Sequence, residues 1–140
     1  MIAGNPRPGR VRPRRTRRGA AAVEFAVCLP VLVLLVFGSI EACSYIFLKQ
    51  ALHVAAYEGV RESTRLSSNN AAGRSRAETI LNSRGVSGYS IDFPRGEAAD
   101  ADRGENVVIT VSAPTGVNSP LLGSFIADRT IEARITMTRE

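Results

Sequence analysis

The chain has 140 residues, a formal net charge of +5 at pH 7, two cysteines and one histidine. Arg7, Arg10, Arg12, Arg14, Arg15, Arg17 and Arg18 all precede residue 19, so 18 − 7 = 11 basic residues face 13 acidic ones in the rest of the chain. The surplus charge therefore belongs to the N-terminal tail alone. With so few histidines and cysteines, no metal-ligand spacing and no Gly-rich phosphate loop, the sequence argues against an enzyme and calls for no cofactor and no metal.

Residues 1–19 do not read as a folded unit. Pro6, Pro8 and Pro13, with Gly4 and Gly9, deny them a helix, and they have almost nothing apolar to bury. An arginine tail could bind nucleic acid. Its direct junction with an apolar run favours a topogenic role instead, with Arg14, Arg15, Arg17 and Arg18 nearest the boundary.

Ala20 to Ile40 is that run. As a helix it spans roughly 31 Å, about the hydrocarbon thickness of a bilayer. After Glu24 it carries no charge until Glu41. A chain of this length has too little else to wrap such a helix as a buried core. The positive-inside rule places residues 1–19 in the cytoplasm and residues 41–140 outside. A secretory signal would have a shorter apolar core followed by small residues. Here the charged-to-apolar boundary itself carries the small residues, Gly19-Ala20-Ala21-Ala22. Glu24 is a carboxylate in a membrane segment, which is costly and so reads as functional.

Gly19, then four residues, then Glu24-Phe25, resembles the prepilin-peptidase motif of type IV pilin-like proteins. The stretch Arg18-Gly19-Ala20-Ala21-Ala22-Val23-Glu24-Phe25-Ala26, with Leu29-Pro30 and Gly38 after it, resembles the TadE family, minor pseudopilins of the bacterial tight-adherence (Tad/Flp) pilus and secretion machinery. The resemblance covers about residues 17–40. It implies cleavage after Gly19, a mature N-terminus at Ala20 and a glutamate at the fifth mature position. It also implies the cytoplasmic (inner) membrane as location. The partners it implies are the membrane, a prepilin peptidase and other pilin-like subunits or pilus-assembly proteins, with no small-molecule substrate.

The spacing is physically consistent with that role. Cleavage would create a cationic amine at Ala20, and Glu24 lies four residues on, ~6 Å along the helix and on nearly the same face. Its carboxylate could offset that amine, or a neighbouring subunit's, and it suits the positive end of the helix dipole. Alternatively, Glu24 snorkels to the headgroups at an uncleaved boundary.

Further along, Pro30 removes one backbone hydrogen bond and can kink the helix. Gly38 and Ser39 are small enough to allow close helix approach. Cys28 and Cys43, fifteen residues apart, would lie ~22 Å from each other on one helix, beyond disulfide reach. Cys28 reads as an apolar filler; Cys43 reads as a free thiol or an intermolecular bridge. From Glu41 to Arg65 there is no proline, and Tyr45, Leu48, Leu52, Ala55, Ala56 and Val60 recur at helical spacing. Lys49, Glu58, Arg61, Glu62 and Arg65 mark the polar faces. One helix is therefore expected from Ala20 to about Arg65. His53, without companion ligands, belongs on its surface.

Ser67-Ser68-Asn69-Asn70 can cap a second helix over about 71–84, with Ala72, Ile80 and Leu81 as its apolar face and Gly85 as C-terminal cap. Residues 89–93 alternate as an edge strand ended by Pro94. Arg95 to Glu105 is polar; Asp100, Asp102 and Glu105 lack the glycine and final glutamate of a calcium loop and read as a solvated hairpin loop. Val107, Val108, Ile109 and Val111 make 106–113 the strongest strand. Leu121–Ile126 reads as an apolar turn that plugs the core. Over 129–138, Ile131, Ala133, Ile135 and Met137 alternate with polar residues, as in a half-buried strand.

The expected fold class is α+β. A long N-terminal membrane-spanning helix (20–40) extends over 41–65 into a small exported domain with a second helix and a short antiparallel sheet. The favoured function is a minor pseudopilin cut after Gly19. The alternative is an uncleaved membrane anchor whose exported domain binds a partner.

Overall fold

A computed structural model describes residues 18–120 and 129–139, with Arg18 described by its backbone only. The order is α1 (Arg18–Ser63), α2 (Asn70–Ser83), β1 (Ser90–Asp92), β2 (Asn106–Pro114) and β3 (Thr130–Thr138), with 3-10 turns at Ala98–Asp100 and Gly116–Asn118. This is the expected α+β arrangement. The chain divides into two units, Met1–Leu35 and Val36–Glu140. The arginine leader before Arg18 and the apolar stretch Leu121–Ile126 lie outside the described residues.

In the first unit every described side chain from Gly19 to Leu35 is exposed. Helix α1 is long and apolar enough to cross a membrane, and none of its most apolar window is buried within the protein. Pro30 lies inside α1, where a membrane tolerates the missing donor.

In the second unit α1 supplies the spine. Leu48, Leu52, Ala55, Ala56 and Val60 are buried as the spacing requires, and Ala51 joins them. Tyr45, expected in the same stripe, is half exposed. It is on the right face by phase, but burial begins only at Leu48, one turn later. The sheet is antiparallel in the order β1-β2-β3, with Ile91 opposite Val111, Ile109 opposite Ile135 and Val111 opposite Ala133. Val107, Ile109, Val111 and Ala113 from β2, with Ile131 and Ala133 from β3, close the core over α1. Strand β1 is shorter than its alternating run, yet Tyr89 and Phe93 at its ends still pack on the core with Ile91.

Helix α2 differs from its sequence pattern. Its buried face is Gly73, Ala77 and Leu81, one turn apart each; Ala72 and Ile80 are only partly buried. The reason is a close helix crossing. A Cβ on Gly73 would meet the Gly59 carbonyl oxygen at 2.5 Å and would collide with the Ser63 hydroxyl. Ser63 is fully buried and donates to the Gly59 carbonyl at 3.0 Å. Arg76 of α2 reaches Glu58 of α1 at 3.7 Å across the same crossing.

The cap at the start of α2 is Asn69, whose Oδ1 accepts from the Ala72 amide at 2.9 Å. Its end is a Schellman motif: Gly85, at φ +69°, donates to Asn82, and Val86 donates to Leu81. Val86 and Leu81 both belong to the core. Asn70 ties the following loop down. Its Nδ2 donates to the Gly96 carbonyl at 2.7 Å, and its Oδ1 accepts from the Ala98 amide at 3.0 Å. The Arg95–Glu105 loop folds on itself, with the Asp102 amide donating to Glu105 Oε2 at 3.0 Å and Gly104 at φ +88°.

Cys28 and Cys43 are both exposed, free thiols. The protein is expected to show no intrachain disulfide; an oxidised monomer whose mass and mobility revert on reduction would mean that α1 breaks between them.

Candidate processing and assembly segment

Four residues carry the candidate site: Gly19, Ala20, Glu24 and Phe25. All four lie in the first two turns of α1 and all are exposed. The helix starts at Arg18, two residues before the expected Ala20, so Gly19 is helical rather than extended. The first turn of a helix has unsatisfied amides and frays at little cost, so Gly19 can still open into a peptidase cleft. A Cβ added at Gly19 would meet nothing within 4 Å. The glycine is therefore not required by packing, which leaves a recognition role open to it.

Glu24 is the only acidic residue between Gly19 and Glu41. Among the described residues it makes no hydrogen bond or ion pair. It lies one turn from Ala20, the residue that would carry a new amine, and the aromatic ring of Phe25 beside it is well exposed. Of the four arginines expected to set topology, Arg14, Arg15 and Arg17 lie outside the described residues, and Arg18 contributes the first helical backbone position.

Glu41, the first charge after the apolar run, lies in the second unit. Its Oε1 accepts from the Ser119 hydroxyl, while its Oε2 is buried and has no partner among the described residues. The sequence did not single this residue out as a site; its position directly after the sixteen uncharged residues 25–40 was the available signal. Among the described residues no group of three or more His, Cys, Asp or Glu could hold a metal ion. His53 is exposed on α1. A groove of about 510 Å³ lined by Cys43, Phe47, Val86, Val117 and Pro120 holds no candidate nucleophile–base pair.

A long apolar helix with an exposed, motif-bearing head, joined in sequence to a small α+β unit, is the build of a membrane-anchored protein. The family model described as TadE-like protein matches residues 19–61, so the chain carries a TadE-like segment from Gly19 to Arg61 of α1. The match takes in Gly19, Glu24, Phe25, Pro30 and Gly38, the residues on which the resemblance rested; α2 and the sheet fall outside it. No curated protein and no solved structure matches the chain.

Proposed function

We propose that the protein is a minor pseudopilin-like subunit of a tight-adherence type pilus or secretion apparatus, and not an enzyme. It is made with its arginine leader in the bacterial cytoplasm, crosses the inner membrane once through residues 20–40, and exports residues 41–140. A prepilin peptidase cuts after Gly19. The new Ala20 amine and Glu24 then guide assembly with other pilin-like subunits. The observation that carries this reading is the Gly19…Glu24-Phe25 head on an exposed apolar helix, inside the segment that matches the TadE-like model.

The test is mass spectrometry of the N-terminus of protein extracted from its native membrane beside an active prepilin peptidase. A chain beginning at Ala20 supports the reading, and one beginning at Met1 or Ile2 overturns it. Orientation is checked separately. A reporter fused after Glu140 is expected to be active only outside the cytoplasm; a fusion active inside would reverse the charge argument. The helical backbone at Gly19 favours a second reading, the uncleaved anchor with an exported interaction domain, which the same spectrum distinguishes.

A further inference from the structure

Within the Val36–Glu140 unit, the end of the fold that adjoins the apolar run is itself apolar and uncovered. Tyr45, Ile46 and Phe47 keep 50%, 54% and 51% of their surface exposed, and Val117 in the Gly116–Asn118 turn keeps 65%. At about 100° per residue, three successive exposed residues face roughly 200° of the circumference of α1. The exposed surface is therefore a collar around the helix. A protein partner covers one face of a helix, whereas apolar exposure over several faces fits a surrounding lipid phase. The collar also continues the exposed apolar surface of Val36, Phe37 and Ile40 with only Glu41 as a charge between them.

The fold fixes the depth of the turn. The Ser119 hydroxyl donates to Glu41 Oε1, so the segment 116–120 meets α1 at the first residue after the uncharged run 25–40. A helix rises ~6 Å from Glu41 to Tyr45, and the headgroup layer on each side of a bilayer is about 5–8 Å thick. With residues 20–40 in the hydrocarbon, Tyr45 and the turn fall within that layer, where an aromatic ring with a polar tip is favoured.

The nearby charges suit the same surroundings. Glu41 is drawn toward the turn and its Oε2 is buried, so its carboxylate is not presented to lipid. The groove beside the turn is lined by Cys43, Phe47, Val86, Val117 and Pro120, and Arg84 is the one charged residue among its described lining. A guanidinium beside an apolar groove matches a lipid phosphate above its acyl chains.

We propose that the Val36–Glu140 unit docks on the membrane surface from which α1 emerges, with Tyr45, Ile46, Phe47 and Val117 seated in the headgroup layer. The proposal rests on the membrane-anchored reading above; neither the cleavage after Gly19 nor the direction of insertion enters it.

The experiment uses the full chain reconstituted in vesicles of phosphatidylcholine and phosphatidylglycerol, in a Cys28→Ser, Cys43→Ser background. Val117→Cys, His53→Cys and Leu32→Cys each receive one fluorophore; His53 is exposed and ~18 Å beyond Glu41 along α1. Quenchers are carried on the lipid headgroup, midway down the acyl chain, or by iodide in the water. The headgroup quencher is expected to act several-fold more strongly on the Val117→Cys label than on the His53→Cys label, which iodide reaches instead. The acyl-chain quencher is expected to act on Leu32→Cys. Val117→Asp, read from a label at Pro120→Cys, is expected to lower headgroup quenching several-fold, whereas a unit held near the membrane by its tether alone would show no change. Equal headgroup quenching of the Val117→Cys and His53→Cys labels, with Leu32→Cys still quenched, overturns the docking and leaves the anchor standing, as does a Val117→Asp variant without effect. Absence of acyl-chain quenching at Leu32→Cys overturns the anchor and the docking together. A Val117→Cys label shielded from iodide and from both lipids would show that protein covers the turn, and also overturns the proposal.

Discussion

Gly19→Leu is expected to leave the leader in place, so that membranes yield the 140-residue chain where the wild type yields a form 19 residues shorter, beginning at Ala20. The fold gives this variant an unusually clean interpretation. No atom lies within 4 Å of a Cβ placed at Gly19, so the substitution disturbs no packing. Leucine also favours the helix over glycine by up to about 1 kcal/mol, which opposes the unwinding that a peptidase needs. Loss of processing would therefore report recognition of the glycine and not misfolding. Glu24→Leu is expected to behave differently. Gly19 stays, cleavage largely persists, and membrane insertion is equal or better because a charge has left an apolar segment. Co-purification with other pilin-like subunits is expected to fail. The Ala20 amine would then lie unpaired near hydrocarbon, at a cost of about several kcal/mol or with loss of its proton. If Glu24→Leu assembled normally, the carboxylate would be no more than a headgroup-level snorkel. Mass spectrometry and pull-down from the same membranes separate the two variants.

Gly73→Ala is expected to give the largest loss of stability in the Val36–Glu140 unit. The added methyl would meet the Gly59 carbonyl oxygen at 2.5 Å, and that atom is backbone, so α1 and α2 must move apart. Over-packing of this kind typically costs 1–3 kcal/mol, and the better helix propensity of alanine returns up to about 1 kcal/mol. The net loss expected is about 2 kcal/mol. Ser63→Ala added to it removes the colliding hydroxyl but leaves the carbonyl contact, so rescue should be partial. Gly38→Ala, with nothing within 4 Å of the new methyl, is the control and should be neutral or stabilising. Pulse proteolysis of the detergent-extracted full chain measures all three. Equal resistance of Gly73→Ala and Gly38→Ala would show that the crossing is looser than it stands here.

Those two glycines mark the boundary of what was legible in the chain. The long helix followed from an uninterrupted apolar run and a stripe at helical spacing. Strands β2 and β3 followed from β-branched content and strict alternation, and the alternation of Ile131, Ala133, Ile135 and Met137 matches their burial or partial burial. The head of the candidate site was read from Gly19, Glu24 and Phe25, which lie close together and inside the segment that the TadE-like model matches. What escaped was non-local. A glycine inside a helix reads as a weak point until a second helix is known to cross there, so Gly59 and Gly73 carried no signal. The same holds for small residues: Ala77 is buried, whereas of the expected face Ala72, Ile80 and Leu81 only Leu81 is. Asn70 and Asn118 are loop residues by composition, yet each fastens a segment 26 or more residues away, Asn118 through both Ser87 backbone atoms at 2.8 and 2.9 Å. Tyr45 has the right phase and misses burial because phase does not reveal where the covering layer begins.

The edges of the sheet bear on how densely such molecules can be gathered in one membrane. Strand β1 has three residues, too few to template a foreign strand. At the opposite edge, β3 turns Thr130, Glu132, Arg134, Thr136 and Thr138 outward, and no strand pairs with its far side among the described residues. Charges on an edge strand disfavour further strand addition, because a flat apolar neighbour would have to desolvate them. Crowding should therefore not drive these domains into sheet-to-sheet aggregates. Copies of the domain held close together would then keep their sheets separate.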